Sequence, residues 1–225
     1  MANTISAIIT AGGNAVRFGS NKMITLLKGK PLIVHTLERF HQIKSINEII
    51  LLVKNEEIKL YQNIINKEGF KVKLVPAAPE RITSLYFGIK LAKGKYVITH
   101  DGNRPLTPVR LINRVAKEVV KFKAVITAVK PTATIKYSDG NFVKLSLPRN
   151  ETWIAQTPQG FERILVLKAL KKAVEKKQFF ATDDSEFVTK IGHRVKIIPG
   201  DDINIKITFP QDLIIAEQLL NLSIK

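Results

Sequence analysis

The sequence predicts an α/β fold: a mostly parallel, twisted sheet with helices on both faces and a β-hairpin standing outside it. Three observations lead there. Apolar strand-like runs recur at regular intervals, and several are unbroken rather than alternating, as strands buried on both faces require. Helical patterns lie between them, and strands alternating with helices imply right-handed crossovers. One region breaks that rhythm, with two strand-like arms around Asp139-Gly140-Asn141.

The first run is "SAIIT" (6–10), followed by the glycine-rich loop "TAGGNAVRFGSNK" from Thr10 to Lys22. "PLIVHTLERFHQ" then reads as a helix opening at Pro31, where a missing N–H costs little. Its Leu32, Val34, Leu37 and Phe40 fall near one stripe, which places His35 and His41 on a surface-type helix. "EIILLV" (48–53) and "KVKLV" (71–75) are strands. "ERITSLYFGIKLAKG" is a helix ending at Gly94, a residue type suited to the position after a helix. "YVITH" (96–100) is the next strand, "TPVRLINRVAKEVVK" an amphipathic helix, and "AVITAV" (124–129) a strand. The hairpin is "TATIKYSDGNFVKLSLP". A helix at "ERILVLKALKKAVEKK", a strand at "RVKIIP" (194–199), an apolar strand at "INIKIT" and a helix at "PQDLIIAEQLLNL" complete the chain. No repeat or linker interrupts it, so residues 1–225 read as one domain with an excursion at 132–150.

Composition narrows the function classes. The longest apolar run falls short of the ~18 residues of a membrane span, and no signal-like segment opens the chain. With no cysteine there are no disulfides or thiolate metal sites, and a reducing cytoplasm is the natural home. The 36 Lys and Arg outweigh 19 Asp and Glu, a net charge of +17 that attracts polyanions. The cations are spread along the whole chain, so a solvated lysine-rich surface accounts for them equally well.

In an open α/β sheet, ligands bind at the carboxyl ends of the strands. After the first strand, backbone amides of the glycine-rich loop are suited to cradle phosphates, with Arg17 and Lys22 adding charge; an ordinary strand-to-helix loop is the alternative. The loop matches neither a Walker A motif nor G-x-G-x-x-G. After the fourth strand comes "THDGNRPLTP". Asp101 there needs a partner or a metal, and one carboxylate with nucleotide phosphates is a usual way to hold Mg²⁺; capping the turn before Pro105 is the alternative. His100 should point to the opposite face and pack. Thr182, Asp183 and Asp184 read as a helix N-cap. Lys206, within an apolar run, has to reach an anion or an edge. No histidine has zinc-site spacing, and no serine sits in a nucleophile elbow.

"HDGNRP", "QTPQGF" and "NIKITFPQDL", in that order, resemble the sugar-alcohol-phosphate cytidylyltransferases, the family of the 2-C-methyl-D-erythritol 4-phosphate and ribitol 5-phosphate enzymes. The resemblance runs from Ala7 to Leu220. It implies a Rossmann-like nucleotidyltransferase fold, a β-arm used for homodimerisation, and Mg²⁺-dependent transfer of CMP from CTP with release of pyrophosphate. By the same resemblance Ala11, Gly12 and Gly13 wrap the CTP, and Arg17 and Lys22 hold its phosphates. Arg81 and Ser84 of "ERITS" match a segment near the cytosine. Asp101 binds the metal, and Lys206 contacts phosphate. Arg104, Thr134, Arg149, Thr157 and Thr182 match acceptor-side positions, with Arg149 reaching a neighbouring subunit.

Some positions depart from that pattern. Asn14 stands where a second glycine is expected, Asn21 replaces a proline before Lys22, and Ala77-Ala78 replace a Gly-Gly pair. "RNETW" before "QTPQGF" favours 2-C-methyl-D-erythritol 4-phosphate as acceptor; ribitol 5-phosphate, or a diverged and weakly active nucleotide binder, is the alternative. Neither a membrane nor a specific nucleic acid is expected as a partner.

Overall fold

The computed structural model describes residues 3–13, 18, 19, 21–177 and 183–222. β1 (Ile5–Thr10) leads to a short antiparallel pair, β2 (Leu26–Leu27) and β3 (Lys30–Pro31), and then to α1 (Leu32–His41). β4 (Ile46–Val53), α2 (Ile58–Lys67), β5 (Lys73–Pro76), α3 (Arg81–Leu91), β6 (Tyr96–Asp101), α4 (Val109–Phe122) and β7 (Ala124–Val129) follow in strict alternation. The hairpin β8 (Lys136–Asp139) and β9 (Phe142–Ser146) interrupts it. The chain resumes with β10 (Ile154–Glu162), α5 (Arg163–Glu175), α6 (Ser185–Lys190), β11 (Lys196–Pro199) and α7 (Gln211–Leu222).

Seven strands form one sheet in the order β11-β7-β10-β6-β1-β4-β5. β10 alone runs antiparallel to its neighbours, β6 and β7. The unbroken runs are explained by two cores. Ile5, Ala7 and Ile9 of β1 face α1, α2, α4 and α7, while Ile8 faces α3, α5 and α6. β4 divides in the same way, with Ile49, Leu51 and Val53 on one side and Ile50 and Leu52 on the other. Period-two side-chain alternation thus buries both faces of a central strand.

The other predicted strands and the hairpin form, with shifts at their ends, and four local readings are corrected. β10 was not anticipated. "INIKIT" is not a strand: its amides go to side chains and a loop carbonyl, Ile203 N to Asp201 Oδ1 (3.2 Å), Ile207 N to Asn103 O (2.9 Å) and Thr208 N to Asp212 Oδ2 (2.7 Å). α1 is a core helix, not a surface one, and buried His35 bonds the Leu27 carbonyl at 2.7 Å. His41 bonds the Leu37 carbonyl and stacks on Phe70. Gly94 does not end α3, which stops at Leu91. It is a glycine because a Cβ there would lie 2.6 Å from the backbone nitrogen of Ser6.

Candidate active site

The carboxyl ends of β1, β4, β5 and β6 meet around a cleft of about 380 Å³. Gly12 and Gly13, after β1, form one rim, beside the turn that carries Lys22 and Met23. Ala77, Ala78 and Pro79, after β5, form a second rim, with Arg81 and Ser84 from the start of α3. Asp101 and Asn103 make the floor, and Lys206 with Thr208 closes the far side. Lys22, Arg81 and Lys206 are the cations among these lining residues and Asp101 the one acid, three positive charges against one negative. Such a cleft concentrates field on a polyanion.

Asp101 is 7% exposed and anchors three cations. Lys206 Nζ lies 2.9 Å from Oδ2, Arg104 Nε 3.6 Å from the same oxygen, and Arg81 3.7 Å from Oδ1. Burial pushes the carboxyl toward protonation. Lys206, Arg81 and Arg104 outweigh it and hold Asp101 well below the usual carboxylate range. Arg81 also pairs with Asp184, whose side chain is 1% exposed, so one guanidinium is shared by two carboxylates. Asp184 begins α6, where Asp183 accepts from Glu186 N (3.1 Å) and Ser185 Oγ (2.6 Å) as a cap.

Beneath the floor is a hydroxyl and amide network. His100 is buried against Phe40; Thr157 Oγ1 lies 3.0 Å from its Nδ1 and Thr107 Oγ1 3.2 Å from its Nε2. Thr157 Oγ1 also accepts from Asp101 N at 3.0 Å. Asn204, fully buried, joins the two sides: Oδ1 accepts from Thr107 Oγ1 (2.7 Å) and Nδ2 donates to the Thr157 carbonyl (2.8 Å). The Asn204 carbonyl accepts from Arg104 at 2.7 Å. Asn103 Nδ2 donates to the Ile207 carbonyl at 2.6 Å. These bonds fix the backbone on both sides of Lys206.

The expected site residues fall into four groups. Gly12, Gly13, Lys22, Arg81, Ser84, Asp101 and Lys206 line the cleft, with Arg104 packed behind Asp101. Gly12 has no room for a side chain, because a Cβ would sit 2.6 Å from Ala77 Cβ: the alanine in place of the expected glycine occupies that space. Ser84 Oγ lies 3.0 Å from the Ala78 carbonyl and 3.1 Å from that of Glu80, so it braces the second rim. Ala11 and Thr157 stand behind the lining. Ala11 N donates to the Leu52 carbonyl, and Thr157 spends its hydroxyl on His100 and Asp101. Thr134 and Arg149 approach each other at 3.5 Å at the base of the hairpin, outside the cleft. Arg17 and Thr182, like Asn14, lie outside the described residues. Asn103 and Asn204 have no place in the sequence-based expectations, and Asp184 has there only a capping role, not its pairing with Arg81. The one signal was Asn204 among isoleucines, a polar group that burial obliges to find partners.

Burial pushes His100 down to about 3, against an ordinary value near 6.5. Between those values the unfolded chain binds a proton that the native protein refuses. Stability therefore falls as pH drops below about 6.5, by up to about 1.4 kcal/mol per pH unit. Asp101, with its depressed carboxyl, adds a loss of the same sign below about pH 4. Urea unfolding of metal-free protein between pH 7 and 5 should show the first slope, and His100→Gln should flatten it. A flat profile in the wild type would contradict the neutral, buried imidazole.

The donor chemistry fits a metal that arrives with phosphate. Among the described residues no group of three His, Asp or Glu side chains could hold an ion alone. A single cleft carboxylate beside cations that attract phosphate is the arrangement in which Mg²⁺ keeps its remaining ligands from substrate and water. No helix among the described residues is long and apolar enough to cross a membrane.

Comparison with known proteins gives the family. The family described as IspD, 2-C-methyl-D-erythritol 4-phosphate cytidylyltransferase, matches residues 5–222. The 2-C-methyl-D-erythritol 4-phosphate cytidylyltransferase of Clostridioides difficile (strain 630) is 41% identical, over 96% of this chain and 94% of its own. That of Syntrophus aciditrophicus (strain SB) is 37% identical, over 96% and 95%. The crystal structure of 4-diphosphocytidyl-2C-methyl-D-erythritolsynthase from Anaerococcus prevotii DSM 20548 superposes with a TM-score of 0.87 at 31% identity, covering 97% of this chain and 96% of that one. With its mixed seven-stranded sheet and its cationic cleft at the strand ends, the chain belongs to the 2-C-methyl-D-erythritol 4-phosphate cytidylyltransferase family.

Proposed function

We propose that the cleft above Asp101 is where this chain transfers CMP from CTP to 2-C-methyl-D-erythritol 4-phosphate, and that Lys22, Arg81, Asp101, Arg104 and Lys206 carry the reaction. The observation behind the residue assignment is the cleft's charge: three lining cations converge on a space whose one acid is already held ionised by Lys206, Arg81 and Arg104.

An oxygen of the acceptor's phosphate attacks the α-phosphorus of CTP. The bond from that phosphorus to the bridging oxygen breaks, and pyrophosphate leaves with the electron pair. A phosphate monoester is largely dianionic near neutral pH, so it attacks without a general base. That is consistent with a neutral, buried His100, whose two ring nitrogens are already bonded to hydroxyls. The remaining tasks are aligning two anions and absorbing charge as it spreads over the α-phosphate, and fixed cations serve both. Gly12 and Gly13 let the backbone come close to the triphosphate. Lys22 approaches from one side and Lys206 from the other; Lys206, 44% exposed, is placed to exchange Asp101 for phosphate. Asp101 would hold Mg²⁺, which when bound supplies charge neutralisation at the phosphates.

Arg149 and Thr134, at the base of the hairpin, are not among the residues that line the cleft, and the hairpin carries exposed Tyr137, Phe142, Val143 and Leu145. A homodimer built on this arm brings them to the partner's cleft. Mixing inactive Arg149→Ala and Lys206→Ala proteins would then restore activity that neither has alone.

The direct test is pyrophosphate release with CTP and Mg²⁺, comparing 2-C-methyl-D-erythritol 4-phosphate with ribitol 5-phosphate and with no acceptor. Release requires the first acceptor, and Lys22→Ala or Lys206→Ala lowers kcat/KM by at least about 100-fold. Equal release with ribitol 5-phosphate would overturn the acceptor assignment. Undiminished activity in both lysine variants would overturn the residue roles.

A further inference from the structure

The turn that presents Lys22 is tied down on both flanks. On the core side Met23 is buried. Its carbonyl accepts from Ile33 N at 3.0 Å, and the Thr25 carbonyl accepts from Leu32 N at 2.9 Å. These are amides of the first turn of α1, which have no partner within the helix. On the cleft side the anchor is Asn21. Its Oδ1 accepts from Met23 N at 3.1 Å, its carbonyl accepts from Ile24 N at 3.3 Å, and its Nδ2 donates to Glu57 Oε1 at 2.9 Å. Glu57 closes the single helical turn 55–57 that follows β4, so this last bond ties the lysine's turn to the element beyond the neighbouring strand.

We propose that the Asn21–Glu57 hydrogen bond is a positioning clasp that holds Lys22 over the triphosphate. The proposal rests on the reading of Lys22 as a phosphate ligand. A lysine side chain has four rotatable bonds, so its reach depends on where the backbone holds its Cα, and ordering a loose turn at the moment of binding weakens affinity. Asn21 is suited to this because an amide both donates and accepts. Aspartate would satisfy Met23 N and repel Glu57. Lysine would satisfy Glu57 and leave Met23 N without its acceptor. Because Met23 and the start of α1 anchor the other flank separately, breaking the clasp moves Lys22 without unfolding the chain. Asn21 and Glu57 are not among the residues that line the cleft; they act through Lys22.

The test uses Asn21→Asp, alone and with Glu57→Gln, each in wild-type and Lys22→Ala backgrounds. CTP affinity is read by titration calorimetry without acceptor, kcat and KM by pyrophosphate release, and folding by thermal midpoint. Asn21→Asp sets two carboxylates face to face and weakens CTP about tenfold, mainly in Kd and KM, at an unchanged midpoint. In the double variant the glutamine amide donates to the new carboxylate, and affinity returns to within about 3-fold of wild type. In the Lys22→Ala background Asn21→Asp costs less than about 2-fold, because there is no lysine left to place. Wild-type affinity in Asn21→Asp, failure of Glu57→Gln to restore it, or an equal loss in both backgrounds would each overturn the clasp. Wild-type affinity in Lys22→Ala alone would overturn the phosphate-ligand reading and the clasp with it, and that arm is read independently of Asn21.

Discussion

Asp101→Asn lowers kcat by about 10³-fold and destabilises the protein by about 3 kcal/mol. The two effects share a cause. Arg104 is 8% exposed and its Nε, buried without a hydrogen-bond partner, lies 3.6 Å from the Asp101 carboxylate. A neutral amide leaves that guanidinium buried beside Arg81 and Lys206 with no opposing charge. Removing one member of a buried pair usually costs about 3–5 kcal/mol. The low end applies, because Arg81 and Lys206 are 41% and 44% exposed and water relieves them. Metal-free CTP binding moves the other way. The cleft loses its one acid, so affinity for the polyanion is retained or rises while turnover collapses. Denaturant unfolding, calorimetric CTP titration without metal, and pyrophosphate release separate the three effects. Turnover near wild type would remove Asp101 from the chemistry, and unchanged stability would mean that the cations do not depend on it.

The second large effect is expected at a residue that touches no substrate. Asn204→Ala deletes bonds to Thr107, to the Thr157 carbonyl and to Gln156 Oε1 at a fully buried position. Each abandoned partner keeps its desolvation cost, so the loss sums to about 3–5 kcal/mol. Activity falls as well, because Asn204 fixes the segment that delivers Lys206 and the carbonyl of Thr157, whose hydroxyl holds the Asp101 amide. The signature is a lower denaturant midpoint together with a higher KM for CTP. A stability loss under about 1 kcal/mol would show that water replaces the network.

What the sequence revealed follows from where its signals are local. β1, β4, β6 and β7 were legible because their burial on both faces leaves unbroken apolar runs. β10 was not: Gln156, Thr157, Pro158 and Gln159 make its middle polar. It is buried as a strand because Gln156 and Thr157 bond Asn204, Asp201 and His100 rather than water. The "INIKIT" segment misled in the opposite direction. Ile203, Ile205 and Ile207 alternate with polar residues as a strand's would, yet they pack into the core on the α1, α2, α4 and α7 side of the sheet without joining it, and their amides bond side chains and loop carbonyls. In the site, Asp101 and Lys206 were legible because charge in an apolar stretch demands an explanation. Asp184 was not, since its partner Arg81 lies 103 positions away and a capping role satisfied the local pattern.

The place where the hairpin leaves the sheet has an evolutionary consequence. β7 ends at Val129 and β10 begins at Ile154, and those two residues are paired across the ladder. The intervening segment therefore departs from and returns to a single point at the end of two neighbouring interior strands. For the sheet itself, lengthening or shortening it changes only the entropy of closing one loop, about 0.6 kcal/mol per doubling of length, and re-threads no strand. The arm can be replaced as a cassette while the catalytic scaffold keeps its register. New assembly surfaces can arise there without passing through an unfolded intermediate sequence.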